Sequence, residues 1–360
     1  MEDRNLELFK QYNIKIYNTY RIRGAFIIET DKGLKLLKSL ESSKSRIDFE
    51  NTVLEYLTVQ NYPYVDLYVK NNSNEIITED NTGNKYVLKN WFPGEECNLK
   101  DEVNVADAAV NLAILHSLLR EVPLTKEQVE YNKSPCLMEV FDKRNRELKR
   151  VRGYIREKRK KNEFELCYLN CYDEFYEQSQ EATKILGESN YVHLMKEAVE
   201  HRHICHGNYT YHNIILLKDE KTLKDSISLN TNYTEVSAAG LKGTIRANMA
   251  TTNFEKACIG VQISDLYQFI RKVMEKNDWD IDMGSMILDS YTRVLPIDKD
   301  ELKLLYILLL YPEKFWKITN FYYNGKKSWV PQRNIQKLIG IQEQMEMKKQ
   351  FLDCLATTIN

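Results

Sequence analysis

The chain has 360 residues, 43% of them hydrophobic and 29% charged, and a formal net charge of -1. That is ordinary for a globular protein with a sizeable core, and the length leaves room for two domains or lobes. A balance so close to neutral gives phosphate no global attraction, so no nucleic acid is expected as a partner.

The seven cysteines are odd in number and irregularly spaced. Cys167 and Cys171 alone lie close together, and without a second pair they make no zinc site. Free thiols are expected. The N-terminus, Met1-Glu2-Asp3-Arg4, lacks the apolar stretch of a signal peptide. The longest apolar run, residues 302–311, contains Lys303 and falls far short of the roughly 20 residues of a membrane span. No membrane span is expected.

Residues 1–90 read as strands around one helix. Residues 12–17 alternate, residues 25–30 are rich in β-branched and aromatic side chains, and Asp31-Lys32-Gly33 is a hairpin turn. In the return strand, residues 34–38, Lys38 shares a face with Leu34 and Leu36, opposite Leu37. A helix over 45–59 carries Phe49, Val53, Leu54 and Leu57 on one face, bordered by Glu50 and Glu55. Residues 66–70 and 84–89 are further strands, separated by an Asn-rich turn region. Trp91-Phe92-Pro93-Gly94 then breaks the pattern, and the lobe boundary is placed after residue 90.

From about residue 101 the chain is mainly helical. Val105, Ala108, Ala109, Leu112, Leu115 and His116 build one helix. Residues 141–161 form a basic helix interrupted near Gly153. Its Lys and Arg run reads either as a solvated face or as a surface for anions or proteins. Helices over 164–186 and 191–203 follow.

Next comes a polar loop, His206-Gly207-Asn208-Tyr209-Thr210-Tyr211-His212-Asn213, running into the apolar strand 214–217. Residues 219–248 read as an excursion containing a hairpin, with Gly240 and Gly243 at turns. Ala250-Thr251-Thr252-Asn253-Phe254-Glu255 leads to a helix with Ser264 as N-cap and Asp265 in its first turn. Helices near 282–294, 298–310 and 333–356 finish the chain.

The loop has the spacing of the phosphotransfer signature H-x-D-x-x-x-x-N, with Asn208 in the Asp position. The order of motifs resembles the aminoglycoside/choline phosphotransferase branch of the protein-kinase-like fold. More closely, it resembles the CotS-type spore-coat protein family. The residues that carry this are Tyr20 to Phe26, Leu36-Leu37-Lys38, Cys205 to Tyr209, His212-Asn213, the block from Asp265 to Val273, and Tyr311-Pro312-Glu313-Lys314-Phe315-Trp316. The implied fold is α+β and two-lobed, with a small antiparallel β lobe over 1–90 of nucleotide-binding type. A large helical lobe over 91–360 would hold the catalytic-type loop at 206–213.

The resemblance also implies roles. Lys38 would hold nucleotide phosphates, with Lys35 as fallback, and Glu50 would pair with Lys38. Gly24, after Arg23, would stand in for a glycine-rich loop. Lys89, Asn90 and Trp91 would form the hinge that reads an adenine, with Trp91 either stacking there or plugging the lobe interface.

Asn208 replaces the acid that accepts the substrate proton, and Asn253 replaces the acid that binds magnesium. Asn213 keeps the other metal position, and Glu255 is a substitute ligand. His206 and Asp265 would support the loop. ATP and Mg2+ are the cofactors such a site implies. Two acids exchanged for amides favour a pseudokinase that acts in coat assembly through protein binding. The alternative is an active Mg-ATP-dependent phosphotransferase on a small-molecule or protein hydroxyl. By the same resemblance the partners are other spore-coat proteins. The location is the spore coat, after synthesis in the cytoplasm without a signal peptide.

Overall fold

The computed structural model describes residues 4–22, 24–217, 233–238, 241–246, 248–324 and 331–359. The chain forms two compact units that interleave along the sequence. The first takes Met1–Asn98, Val103–Asn132 and Ile204–Cys258; the second takes Leu99–Glu102, Lys133–His203 and Ile259–Asn360. The expected boundary after residue 90 coincides with the end of a strand, whereas the compact units exchange chain several times.

The first unit begins with helix α1 (Arg4–Phe9), followed by strands β1 (Ile16–Ile22), β2 (Ala25–Thr30) and β3 (Gly33–Ser39) and helix α2 (Lys44–Val59). Three strands follow, β4 (Tyr64–Val65), β5 (Ile77–Glu79) and β6 (Lys85–Asn90). An antiparallel sheet runs in the order β1-β2-β3-β6-β5. The turn at Asp31-Lys32 closes on Gly33, whose φ of +78° suits glycine.

Ser43 caps α2 by accepting from Arg46 N. One sheet face is covered by Leu8, Phe9 and Tyr12, packed on Ile28, Leu37 and Leu88. Tyr12 therefore belongs to this core and not to a strand. Its ring is buried and its hydroxyl meets Thr78 Oγ1 at 2.7 Å.

The other face carries Lys38 and Lys89. Lys38 pairs with Val87 and Leu36 with Lys89, so both lysines point the same way. Of the expected strand 66–70, only Tyr68 forms a bridge, to Lys89.

A second sheet in this unit runs β4-β12-β9-β7, formed by β7 (Gly94–Glu96), β9 (Ile214–Leu217) and β12 (Met249–Thr251) with β4. Helices α3 (Glu102–Leu119) and α4 (Lys126–Tyr131) accompany it. Helix α4, which the sequence reading omits, is short and held by a capping box of Thr125 and Gln128.

Strands β10 (Tyr233–Ala238) and β11 (Leu241–Arg246) form the expected hairpin. Gly243 sits within β11 opposite Val236 and not at a turn, and Gly240 lies outside the described residues.

The second unit contains α5 (Leu137–Glu157), α6 (Glu163–Gly187), α7 (Tyr191–Glu200), α8 (Ile263–Met274), α9 (Ile281–Thr292), α10 (Lys299–Leu310), α11 (Glu313–Asn324), α12 (Pro331–Glu343) and α13 (Met345–Ile359). Its aromatic core joins Phe164, Tyr168, Phe175 and Phe315 from α6 and α11. Tyr168 stacks on Phe315 with centroids 5.1 Å apart.

Gly153 does not interrupt α5, because Leu148 and Ile155 are buried on either side of it. That packing outweighs the ~1 kcal/mol cost of a helical glycine. The helix ends at Glu157, and Lys158 leaves it to pair with buried Glu165 at 2.6 Å.

Ser264 is not the N-cap of α8. The helix starts at Ile263 after Gln262, because Ile263 is buried in its first turn. Residues 333–356 are two helices, α12 and α13, that break at Gln344. No helix among the described residues is long and apolar enough to cross a membrane, and all seven cysteines are free.

Candidate functional site

The polar loop follows strand β8 (Ile204–Cys205) and enters β9 through a single 3-10 turn, Tyr211–Asn213. Gly207 lets it pass close to the segment after β12. A Cβ on Gly207 would lie 1.9 Å from the Lys256 carbonyl oxygen, and its φ is +75°. Glycine is therefore required here for two independent reasons.

His206 is fully buried and pins the loop. Its Nδ1 accepts from Asn208 N at 3.2 Å, so its Nε2 carries the proton given to the Thr252 carbonyl at 3.1 Å. Beneath the loop lies a buried network. Tyr62 Oη donates to Asn111 Oδ1 at 2.8 Å, Asn111 Nδ2 reaches both Tyr209 Oη and Thr251 Oγ1 at 3.0 Å, and Tyr209 Oη donates to the Ala108 carbonyl at 2.8 Å.

On this base Asn208, Asn213 and Asn253 converge. Asn213 Nδ2 donates to the Asn208 carbonyl at 2.7 Å, and Asn253 Nδ2 donates to Asn213 Oδ1 at 3.3 Å. Asn253 is left-handed, φ 67° and ψ 58°, a conformation that Asn tolerates better than most side chains. Its backbone N–H is held at 3.1 Å by Asp66 Oδ2.

The expected pairing of Lys38 with Glu50 is not formed. Lys38 Nζ meets both carboxylate oxygens of Glu255 at 2.6 Å. Glu50 instead takes Lys89 Nζ at 2.6 Å, and Asp66 Oδ2 takes it at 2.7 Å. The reason lies in the sheet. Lys38 and Lys89 share a face, and α2 places Glu50 over β6.

This triad is buried, and Tyr68 Oη donates to Glu50 Oε2 at 2.6 Å. Burial pulls the Lys89 ammonium down, but the Asp66 and Glu50 carboxylates outweigh it and hold it above the usual lysine range. Burial raises the Asp66 carboxyl, against the opposing pull of Lys89. Asp66 Oδ1 has no hydrogen-bond partner.

Lys89 is thus committed by its side chain. The backbone N–H groups of Asn90 and Trp91 are committed too, to the carbonyls of Leu67 and Leu34. Trp91 packs with Phe92 and Tyr64 on Ile215, Leu217 and Ala250. Gly24 turns β1 into β2 with φ +85°, next to the Ile22–Ala25 pair, while Arg23 lies outside the described residues. Lys35 is on the opposite face, with its ammonium on the Lys32 carbonyl. Asp265 belongs to the second unit, where it is fully buried in the first turn of α8.

Arg46 completes the site. Its Nε and Nη2 grip the Glu255 carbonyl at 3.1 and 2.9 Å, and its Nη1 donates to Asn132 Oδ1 at 2.7 Å. The first turn of α2 is thereby tied to the segment after Asn253.

No family model matches the chain. Over 338 residues it is 22% identical to Spore coat protein S of Bacillus subtilis (strain 168), covering 92% of this chain and 87% of that protein. An aminoglycoside phosphotransferase from Alicyclobacillus acidocaldarius superposes with a TM-score of 0.78 at 16% identity, covering 98% of this chain and 96% of that one. Spectinomycin phosphotransferase, in complex with ADP and spectinomycin, superposes with a TM-score of 0.65 at 9% identity over 95% of each chain.

The fold is that of the aminoglycoside phosphotransferases. The resemblance read from the order of motifs holds both in the curated relative and in the solved structures.

Sequence reasoning missed Asp66 and Arg46, and it gave Lys89 a different task. Asp66 has no local signature, since one acid in an extended segment is normally exposed. Arg46 looks like an ordinary cation in a helix's first turn, where the dipole disfavours it. That position against the dipole is the single hint that its partner lies elsewhere.

Proposed function

We propose that this chain is a kinase-shaped spore-coat protein that binds nucleotide, is strongly impaired in phosphoryl transfer, and serves coat assembly through protein binding. The observation that carries this reading is the setting of Asn213, which donates to the Asn208 backbone carbonyl and accepts from Asn253 Nδ2, with Asn208 and Asn253 as amides in the two positions where a transferase needs acids. The likeness to Spore coat protein S supports the coat assignment.

Asn208 cannot take a proton from a hydroxyl, because its amide is not a base near neutral pH. General-base assistance is typically worth about 10²–10⁴-fold. Positioning and electrostatics carry more of the rate in phosphoryl transfer, so the loss is severe but bounded.

The donor set also fits magnesium poorly. Asn213 Oδ1 is already capped by Asn253 Nδ2, and both oxygens of Glu255 lie on Lys38. Magnesium strongly prefers carboxylate and phosphate oxygens.

Nucleotide recognition rests on Lys38. Its side chain is 36% exposed and its present partner is a single carboxylate. A phosphate chain offers the same chemistry with more charge and can displace Glu255. Arg46 keeps the Glu255 backbone in place while the side chain swings away.

Calorimetry with ADP and ATP, with and without magnesium, tests the reading. Binding that is indifferent to magnesium, without ATP turnover, is expected. Tight magnesium-dependent binding with transfer to an acceptor would overturn it. The double substitution Asn208→Asp with Asn253→Asp should make binding magnesium-dependent and start slow turnover, because it sets unpaired carboxylates around Asn213.

A further inference from the structure

Two of the sequence blocks that carry the resemblance, residues 265–273 and 311–316, belong to the second unit. They meet within the second unit, where α8 faces the start of α11. Tyr267 Oη donates to Glu313 Oε2 at 2.8 Å. Arg271 Nη1 donates to Glu275 Oε1 at 2.7 Å, and its Nη2 lies 3.5 Å from Glu313 Oε2. Arg144 and Lys317 approach Glu313 Oε1 at 3.3 and 3.2 Å, and Lys314 approaches Glu275 Oε2 at 3.3 Å. Lys348, on α13, donates to the Leu310 carbonyl at 3.2 Å.

A purely structural lashing of α8 to α11 would balance its charges and fill its space. This one does neither. Six cations (Arg144, Arg271, Lys272, Lys314, Lys317 and Lys348) stand around Glu275 and Glu313, with Glu147 and Asp142 the further carboxylates near Tyr311. Arg271 is only 7% exposed, yet its Nε has no hydrogen-bond partner.

Arg271, Lys314 and Lys348, the two carboxylates Glu275 and Glu313, and a largely apolar remainder that includes Trp279 line a cavity of about 40 Å³. At roughly 10–15 Å³ per water, that space admits about three waters or one tetrahedral oxoanion. Burial, with repulsion from Arg271, outweighs the attraction of Glu275 and brings the Lys348 ammonium down to about 8. An anion in the cavity would reverse that fall and reduce the excess of positive charge.

We infer that this cavity is a binding site for a small oxoanion of phosphate size, held by Arg271, Lys314 and Lys348. The ligand is either free phosphate or a carboxylate of similar size, and the two sources separate experimentally. Phosphate is favoured, because its higher charge and larger number of oxygens suit one guanidinium beside two ammonium groups better than a single carboxylate does.

The test uses the full-length Lys38→Met variant, so that phosphate at the amide-cluster site does not contribute. Tryptophan fluorescence is followed during titration with inorganic phosphate, and separately with acetate, at constant ionic strength. Saturable quenching by phosphate is expected, with the signal lost in Trp279→Phe. The apparent Kd should rise at least tenfold in Lys348→Met and in Lys314→Gln.

Saturation by acetate alone would overturn the preference for phosphate. No saturable response to either anion, or unchanged affinity in both lysine variants, would overturn the site. If Lys348→Met fails to fold, Lys314→Gln carries the test, because that lysine is a third exposed and its replacement leaves the core intact.

Discussion

Replacing Lys89 by Met should destabilise the first unit far more than replacing either of its carboxylate partners. The ammonium lies 2.6 Å from Glu50 and 2.7 Å from Asp66, and the side chains are only 2–3% exposed. At an effective dielectric of about 20, each contact has a gross attraction of about 6 kcal/mol, most of it offset by desolvation. The triad carries two negative charges against one positive.

Without Lys89, two buried carboxylates face each other unpaired, and the expected cost is about 3–5 kcal/mol. Glu50→Gln leaves a neutral Lys89–Asp66 pair and should cost only about 1–2 kcal/mol, the scale of one charged hydrogen bond.

The two variants also differ in pH dependence. Burial already raises the Asp66 carboxyl above its ordinary 3.8. Loss of Lys89 raises it further, so the folded state binds protons that the unfolded state has released. Stability of Lys89→Met therefore falls as pH rises above ~4, and its deficit is larger at pH 8 than at pH 5. Urea unfolding followed by circular dichroism at both pH values measures this. A deficit for Lys89→Met no larger than that for Glu50→Gln, or one independent of pH, would refute the argument.

Gly207→Ala should cost about 3 kcal/mol in the same assay and abolish nucleotide binding, because the added methyl collides with the Lys256 carbonyl and the backbone is left-handed. An unchanged midpoint would show that the close approach is dispensable. Glu255→Gln should tighten ADP binding up to about fivefold by calorimetry, since freeing a partly exposed lysine is worth at most ~1 kcal/mol. Weaker binding would show that Glu255 assists the ligand.

Burial raises Glu313, but Arg271, Lys317 and Arg144 outweigh it and hold the carboxyl down to about 2. That stability is present above pH ~4.5 and fades as pH falls toward 2, about 3 kcal/mol in all. Glu313→Gln should flatten the acid limb of the unfolding curve. Tyr62→Phe strips a buried hydroxyl from Asn111 and Thr251 and should cost about 1–3 kcal/mol without changing the fold by circular dichroism.

The sequence by itself determined the order of parts. Alternation put Lys38 on one face of its strand, the 3.6-residue period placed Glu50 at the border of a helix face, and the spacing from His206 to Asn213 marked the loop. These are local patterns, and local patterns survive in one dimension. The two exchanges of acid for amide are likewise identities at fixed spacings.

Tertiary structure alone decided which charge meets which. Lys38 and Lys89 share a sheet face because β3 lies beside β6, and that adjacency joins residues far apart in sequence. Glu50 could have reached either lysine; the placement of α2 gives it Lys89, and Lys38 is left to Glu255. Asp66 gained its role when burial removed the water that would otherwise solvate it. A carboxylate in water is nearly indifferent to its neighbours, whereas one in the interior must have a partner, and only the packed chain determines what lies within 3 Å of it.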